Sequence, residues 1–266
     1  MPEDAAKVRP RISVVTPSLN QGRTIEETIL SVLAQQYPNF EHIVVDGGSA
    51  DQTLDILGKY PHLRWVSEPD RGQTEAINKG IRMCTGEVFA YLNADDAFRP
   101  GAFAAVAEVF RDDPTTAAVV GDCDAIDERG APLRLYRARL DRFEDMLRYW
   151  EWGNRFCIPQ PAVFLRRDLL EKIGLFDESY DLAMEYEMWL RAAARYPFTI
   201  VRRTLAALRI TEETKTNRRH AEMHLEEFRA SRGFWRLARW PERWTIPCEA
   251  LVRAVGHHWQ KRRNRG

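Results

Sequence analysis

Two adjacent carboxylates, Asp95 and Asp96, follow the amide of Asn93 at the end of an apolar run, Val88-Phe89-Ala90-Tyr91-Leu92. Such a run reads as a strand covered on both faces. It delivers hard oxygen ligands to a sheet edge, where they suit Mg²⁺ or Mn²⁺. The same acids could instead cap the helix expected to begin near Pro100. Three other apolar runs end in the same way. Ile12–Thr16 stops at Pro17 and leads into Ser18-Leu19-Asn20, Phe40–Val45 ends in Asp46-Gly47-Gly48-Ser49, and Leu63–Val66 ends in Ser67-Glu68-Pro69-Asp70-Arg71. Asp, Asn and Gly favour turns. Four polar ends on one edge nevertheless fit the rule that open α/β sheets bind ligands beyond the carboxyl ends of their strands. No glycine-rich dinucleotide fingerprint follows the first strand and no Gly-Lys-Ser/Thr loop is present, which argues against a dinucleotide enzyme or an ATPase.

Helices must join these strands. Thr24 with Glu27 reads as a capping box opening a helix striped with Ile25, Ile29, Val32 and Leu33, and Ser49 with Gln52 reads as another. A third helix is expected from about Thr74 to Met83. This β-α-β-α-β-α-β order predicts an α/β fold with a mainly parallel sheet flanked by helices. Asp127-Glu128-Arg129-Gly130 reads as a hairpin turn.

The 266 residues are 44% hydrophobic and 29% charged, as in soluble globular proteins. Four scattered cysteines (Cys84, Cys123, Cys157, Cys248) show no zinc or redox spacing, and the reading is a reduced cytoplasmic compartment. Neither a signal peptide nor an apolar run of transmembrane length is seen. The formal net charge of zero hides an asymmetry. Residues 229–266 hold ten Lys or Arg against two Glu, which leaves residues 1–228 at −8. No nucleic-acid partner is expected.

In combination, Thr16-Pro17-Ser18-Leu19-Asn20, Val44-Val45-Asp46-Gly47-Gly48-Ser49, Ser67-Glu68-Pro69-Asp70-Arg71-Gly72, Ala76-Ile77-Asn78-Lys79-Gly80 and Leu92-Asn93-Ala94-Asp95-Asp96 resemble a family 2 glycosyltransferase. The resemblance is strong over about 11–105 and moderate over 155–195. It implies a GT-A fold, a nucleotide-sugar donor (UDP- or dTDP-linked), a divalent metal (Mn²⁺ or Mg²⁺) and inversion at the anomeric carbon. It also implies that Thr16, Pro17 and Asn20 line the nucleotide, that Asp46 holds its base, and that Asp70 and Arg71 border it. Asn93-Ala94-Asp95 matches the family's Asp-x-Asp motif with Asn for the first acid, so Asp95 is the direct metal ligand. Lys215 and Thr216 stand where related enzymes close a loop over the diphosphate.

An inverting transfer needs one base, whereas two catalytic carboxylates flanking the bond would suggest hydrolysis. Aligned on Trp189-Leu190-Arg191, Glu185 takes the family's base position and Met184 replaces the preceding acid. Helical spacing agrees. Glu187 and Arg191 are four apart in the order that favours a surface ion pair, whereas Glu185 shares a face with Met188, Trp189 and Ala192. Glu185 could also be a first-turn acid favoured by the helix dipole. His220 and His224 lack a third ligand and read as a solvated helix.

Phe228, Phe234, Trp235, Leu237, Trp240 and Trp244 alternate with arginines, a composition for an interfacial helix on an anionic membrane or for packing on the acidic body. The expected organisation is a glycosyltransferase domain over 1–228 (nucleotide-binding half 11–105, acceptor and catalytic half 106–228). A basic Trp/Arg-rich helical tail over 229–266 follows, on the inner face of the plasma membrane or on the body. The expected acceptor is a glycan or lipid-linked glycan in cell-surface polysaccharide assembly. Asn93 and Glu185 keep open a catalytically inactive sugar-nucleotide or glycan-binding module. A nucleotidyltransferase is disfavoured by the missing glycine-rich loop.

Overall fold

The structure, a computed structural model, describes residues 9–211 and 219–250. Strand β1 (Ile12–Ser18) is buried along its whole length. It pairs in parallel with β2 (Phe40–Asp46) on one side and β4 (Val88–Tyr91) on the other, and β2 pairs in parallel with β3 (Leu63–Ser67). Helices α1 (Ile25–Leu33), α2 (Thr53–Leu57) and α3 (Gln73–Met83) make the crossovers. β1 does not stop at Pro17, as expected, but runs on to Ser18. The Val15 carbonyl faces β4, accepting from Leu92 N at 2.9 Å. Two residues later Pro17 faces the same side, where β4 has ended, so its missing N–H is not needed.

The period of two divides the core. Val14, Val88 and Ala90 pack on one face of the sheet with Phe103 and Phe164. Val15, Phe89 and Tyr91 pack on the other with Ile77, Trp189 and Leu190. α3 sits directly on β1 because position 80 is glycine, where a Cβ would lie 2.3 Å from Val15 Cγ1.

The second half contains β5 (Ala97–Phe98), α4 (Ala102–Asp112), β6 (Ala118–Ile126), β7 (Pro132–Tyr136), β8 (Arg139–Leu140), α5 (Phe143–Met146), β9 (Phe156–Cys157), β10 (Val163–Arg166), α6 (Arg167–Ile173), α7 (Met184–Ala193), β11 (Phe198–Arg209) and α8 (His220–Arg232). The sheet order is β3-β2-β1-β4-β10-β6-β11-β5, with β7 on β6 as the expected hairpin and β8–β9 as a separate pair. β10 is antiparallel to both β4 and β6 and joins the halves. The α/β fold expected from the sequence is present. The four strands of the first half are all parallel, and the antiparallel pairs lie beyond β4.

Neither capping box forms. The Thr24 hydroxyl turns back to Gln21 Oε1 (3.1 Å), and Glu27 is drawn to Arg209 (2.5 Å). Ser49 is taken by Asp46, so Asp51 bonds the Thr53 amide instead (2.9 Å). Among the described residues no helix is long and apolar enough to cross a membrane.

Candidate active site

The four polar strand ends meet along one edge, but their acids are used differently. Asp46 is fully buried. Its Oδ2 accepts from Gly48 N (3.0 Å), Ser49 N (2.8 Å) and Ser67 Oγ (2.7 Å), and its Oδ1 accepts from Ser49 Oγ. Its carboxylate therefore ties the β2 loop to β3. The residue that the resemblance places on the nucleotide base thus bonds its own loop and Ser67 in this structure. Asp70 lies over Gly47, where a Cβ would come within 2.8 Å of Oδ2, and takes Gly72 N at 2.9 Å. Asn20, in the left-handed region (φ 54°), accepts from Ala50 N (2.9 Å). Thr16 and Pro17 are buried. The Thr16 hydroxyl meets His42 Nε2 (2.9 Å) inside the core rather than the cleft, because alternation along β1 turns it inward. Arg71 is exposed and bridges Glu75 (2.8 Å) and Glu178 (2.7 Å).

At the end of β4 the pattern changes. Asp96 is buried, accepting from Arg209 N (2.9 Å) and Asn93 Nδ2 (3.2 Å). Burial, and then the charge of Asp95, push its carboxyl well above the ordinary value. The Asp95 carboxyl is also raised, chiefly by burial, and no described side chain donates to it. Arg209 holds this loop from behind, through Asp95 O (3.0 Å), the carbonyls of Asp127 and Glu128 (both 3.0 Å) and Glu27. Asn93 is occupied, its Oδ1 by Gln73 Nε2 (2.7 Å) and its Nδ2 by Asp96 and Gln160. No group of three or more His, Cys, Asp or Glu among the described residues could hold a metal alone. Mg²⁺ and Mn²⁺ do not require one, because one or two carboxylates with substrate phosphates and water suffice. A partly buried carboxylate raised by desolvation fits that role.

Helix α7 carries the other candidate. Tyr91 Oη donates to Glu185 Oε1 at 2.5 Å. Burial first, and the charge of Glu185 second, hold the Tyr91 phenol well above its usual value, so it remains a donor. Glu187 is corrected from surface to interior, at 7% exposure. It grips Arg191 (2.7 Å), whose guanidinium also reaches Ile173 O (2.6 Å) and Leu175 O (2.8 Å), covering the carbonyls that end α6. Glu185 is the more open of the two, at the start of the helix. Glu226 of α8 accepts from Asp181 N, Leu182 N and Ala183 N (3.1, 2.8 and 3.0 Å) and so fixes that start. His220 and His224 stack edge to face, and His224 meets Glu227 (2.6 Å). Lys215 and Thr216 lie outside the described residues.

Sequence reasoning missed Tyr91, Gln73, Gln160, Arg209 and Glu226, because their partners are distant in the chain. It also missed Ser18, whose hydroxyl is buried at the cleft end of β1 with no described partner.

The sequence model of the family described as glycosyl transferase family 2 matches residues 13–174. An uncharacterised glycosyltransferase of Mycobacterium tuberculosis is 32% identical over 198 residues, covering 69% of each chain. Two solved structures share the fold. One is Staphylococcus aureus TarS 1–349 in complex with UDP-GlcNAc (TM-score 0.68, 20% identity, 91% of this chain and 71% of that one). The other is the mannosyltransferase PcManGT of Pyrobaculum calidifontis in complex with GDP-Man and Mn²⁺ (TM-score 0.60, 19% identity, 92% and 81%).

Proposed function

Because the chain belongs to glycosyl transferase family 2, we propose that it is an inverting transferase that moves a sugar from a UDP- or dTDP-linked donor to a glycan or lipid-linked acceptor in cell-surface polysaccharide assembly. The reading rests on one contrast. A carboxylate carrying a phenol donor, Glu185 on Tyr91, stands on α7. A second carboxylate, Asp95, to which no described side chain donates, ends the β4 loop. Separate elements thus supply an acid for the donor and a base for the acceptor.

In the transfer, Glu185 accepts the acceptor hydroxyl's proton as that oxygen attacks the anomeric carbon. The bond to the diphosphate breaks on the opposite face and its electron pair leaves with the diphosphate. A divalent ion held by Asp95 supplies, when bound, Lewis-acid stabilisation of that charge. TarS and PcManGT were solved with nucleotide sugars, the latter with Mn²⁺, and that ligand class is what we propose for this cleft. The Tyr91 hydroxyl orients the Glu185 carboxylate, and Gln160 ties the Tyr91 carbonyl (2.9 Å) to Asn93 (3.4 Å), linking base and donor loop.

The test is a panel of nucleotide sugars screened with Mn²⁺ for thermal stabilisation, followed by NMR of the product's anomeric configuration. An inverted glycoside is expected. A retained configuration would overturn the mechanism. Saturable donor binding with neither transfer nor hydrolysis would make the chain a binding module.

A further inference from the structure

Residues 229–250 have two unlike sides. On the inner side, Ala230, Ala238 and Ile246 are buried in the core, and Phe234 and Trp235 pack edge to face on Phe143 and Phe228. Both acids of the segment also pair with arginines of the body. Glu242 meets Arg142 (2.8 Å) and Glu249 meets Arg148 (2.8 Å). Arg229 lies over the Tyr180 ring, 4.3 Å from its centroid.

The outer side is bare. Leu237, Trp240 and Trp244 are 52%, 81% and 68% exposed. Arg232, Arg236, Arg239 and Arg243 are exposed around them, and none of these side chains has a hydrogen-bond or ion-pair partner among the described residues. With the segment's own carboxylates neutralised by the body, its outward charge is wholly positive. Three large exposed apolar side chains interleaved along the chain with four exposed arginines call for a surface both apolar and anionic.

We propose that residues 232–244 dock on an anionic lipid bilayer, with Leu237, Trp240 and Trp244 entering the headgroup region and the four arginines on lipid phosphates. Tryptophan favours that boundary because it is amphipathic, and arginine is attracted to anionic headgroups. A second copy would bring the same exposed arginines against these, and like charges would oppose the contact. A nucleic-acid backbone would use the arginines but has no use for Leu237, nor for the Leu251, Val252, Val255 and Trp259 that follow in the sequence. The patch is mounted on the acceptor half, through Arg142, Phe143, Glu144 and Arg148. A bilayer there suits a lipid-linked acceptor, but the docking itself does not depend on the proposed reaction.

The test is flotation of the full chain with phosphatidylcholine vesicles, with and without phosphatidylglycerol, at low and high salt. Binding is expected only with the anionic lipid, weakened by salt, with a blue shift of tryptophan fluorescence. Arg239→Glu with Arg243→Glu should weaken it at least about a hundredfold, since each charge near an anionic surface is worth roughly fivefold and reversal counts twice. Leu237→Ser, Trp240→Ser and Trp244→Ser together should abolish it while the melting temperature holds. The proposal fails if the full chain ignores anionic vesicles at low salt, or if neutral vesicles bind equally and the charge reversals are inert. It also fails if the tryptophans serve only a concentration-dependent dimer, or if an oligonucleotide binds where vesicles do not.

Discussion

The ends of β2 and β4 lie on either side of β1, and each closes on an acid. Asp46 accepts four hydrogen bonds from its own loop and from Ser67 and so braces the framework. Asp95 accepts none from a described side chain, and burial raises its carboxyl. The same division recurs along α7, where Glu187 is clamped by Arg191 while Glu185 faces the Tyr91 hydroxyl. A motif's spacing places an acid at an edge, but only the partners around it decide whether it serves the fold or a ligand.

The largest expected effect falls on α7. Glu185→Gln still accepts from Tyr91 but loses basicity, and the transfer rate should fall by roughly 10²–10⁴ with donor affinity within about threefold. Steady-state kinetics with donor titration checks this, and unchanged transfer would put the base elsewhere. Glu187→Ala should instead cost about 3 kcal/mol of stability in denaturant melts, the usual result of breaking a buried pair. A loss of only a few tenths would return Glu187 to the surface.

Next comes the strand-end pair itself. Asp46→Ala leaves amide and hydroxyl donors unmet and should lower stability by about 2–3 kcal/mol. Asp95→Asn removes a desolvated carboxylate and should leave the melting temperature equal or higher. Equal losses in the two variants would erase the contrast.

Much of this organisation was legible. Apolar runs that stop in Asn, Asp and Gly gave the parallel half, since a buried parallel strand reads as a continuous run. The Glu187–Arg191 pair on α7 was legible from its spacing, but its burial was not. Glu185 and Glu187 are two residues apart on one helix, and nothing local shows that Arg191 covers the carbonyls ending α6. The capping boxes failed for a similar reason, as Arg209 and Asp46 outcompeted the local pairings. The Thr16 contact with His42 was not legible either, because its motif position suggests the cleft while strand alternation turns it inward.

That inward pair gives the most gradual effect, spread over several pH units. Burial, and then the nearby His62, hold the His42 imidazole down to about 3. The unfolded chain takes up that proton below about 6.5 while the folded chain does not. Stability should therefore decline as pH falls from about 6.5 towards 3, by up to about 1.4 kcal/mol per unit from this group. Urea melts of His42→Gln should show a shallower acid slope between pH 6 and 4. An identical slope would remove His42 from the explanation.

The division between framework and ligand acids is tested most directly at Asp95, by calorimetric titration of the donor found in the nucleotide-sugar screen, with and without Mn²⁺. Mn²⁺ should tighten donor binding in the wild type and in Glu185→Gln. In Asp95→Ala it should make no difference, while metal-free affinity stays near the wild-type value. An undiminished Mn²⁺ enhancement in Asp95→Ala would contradict the account.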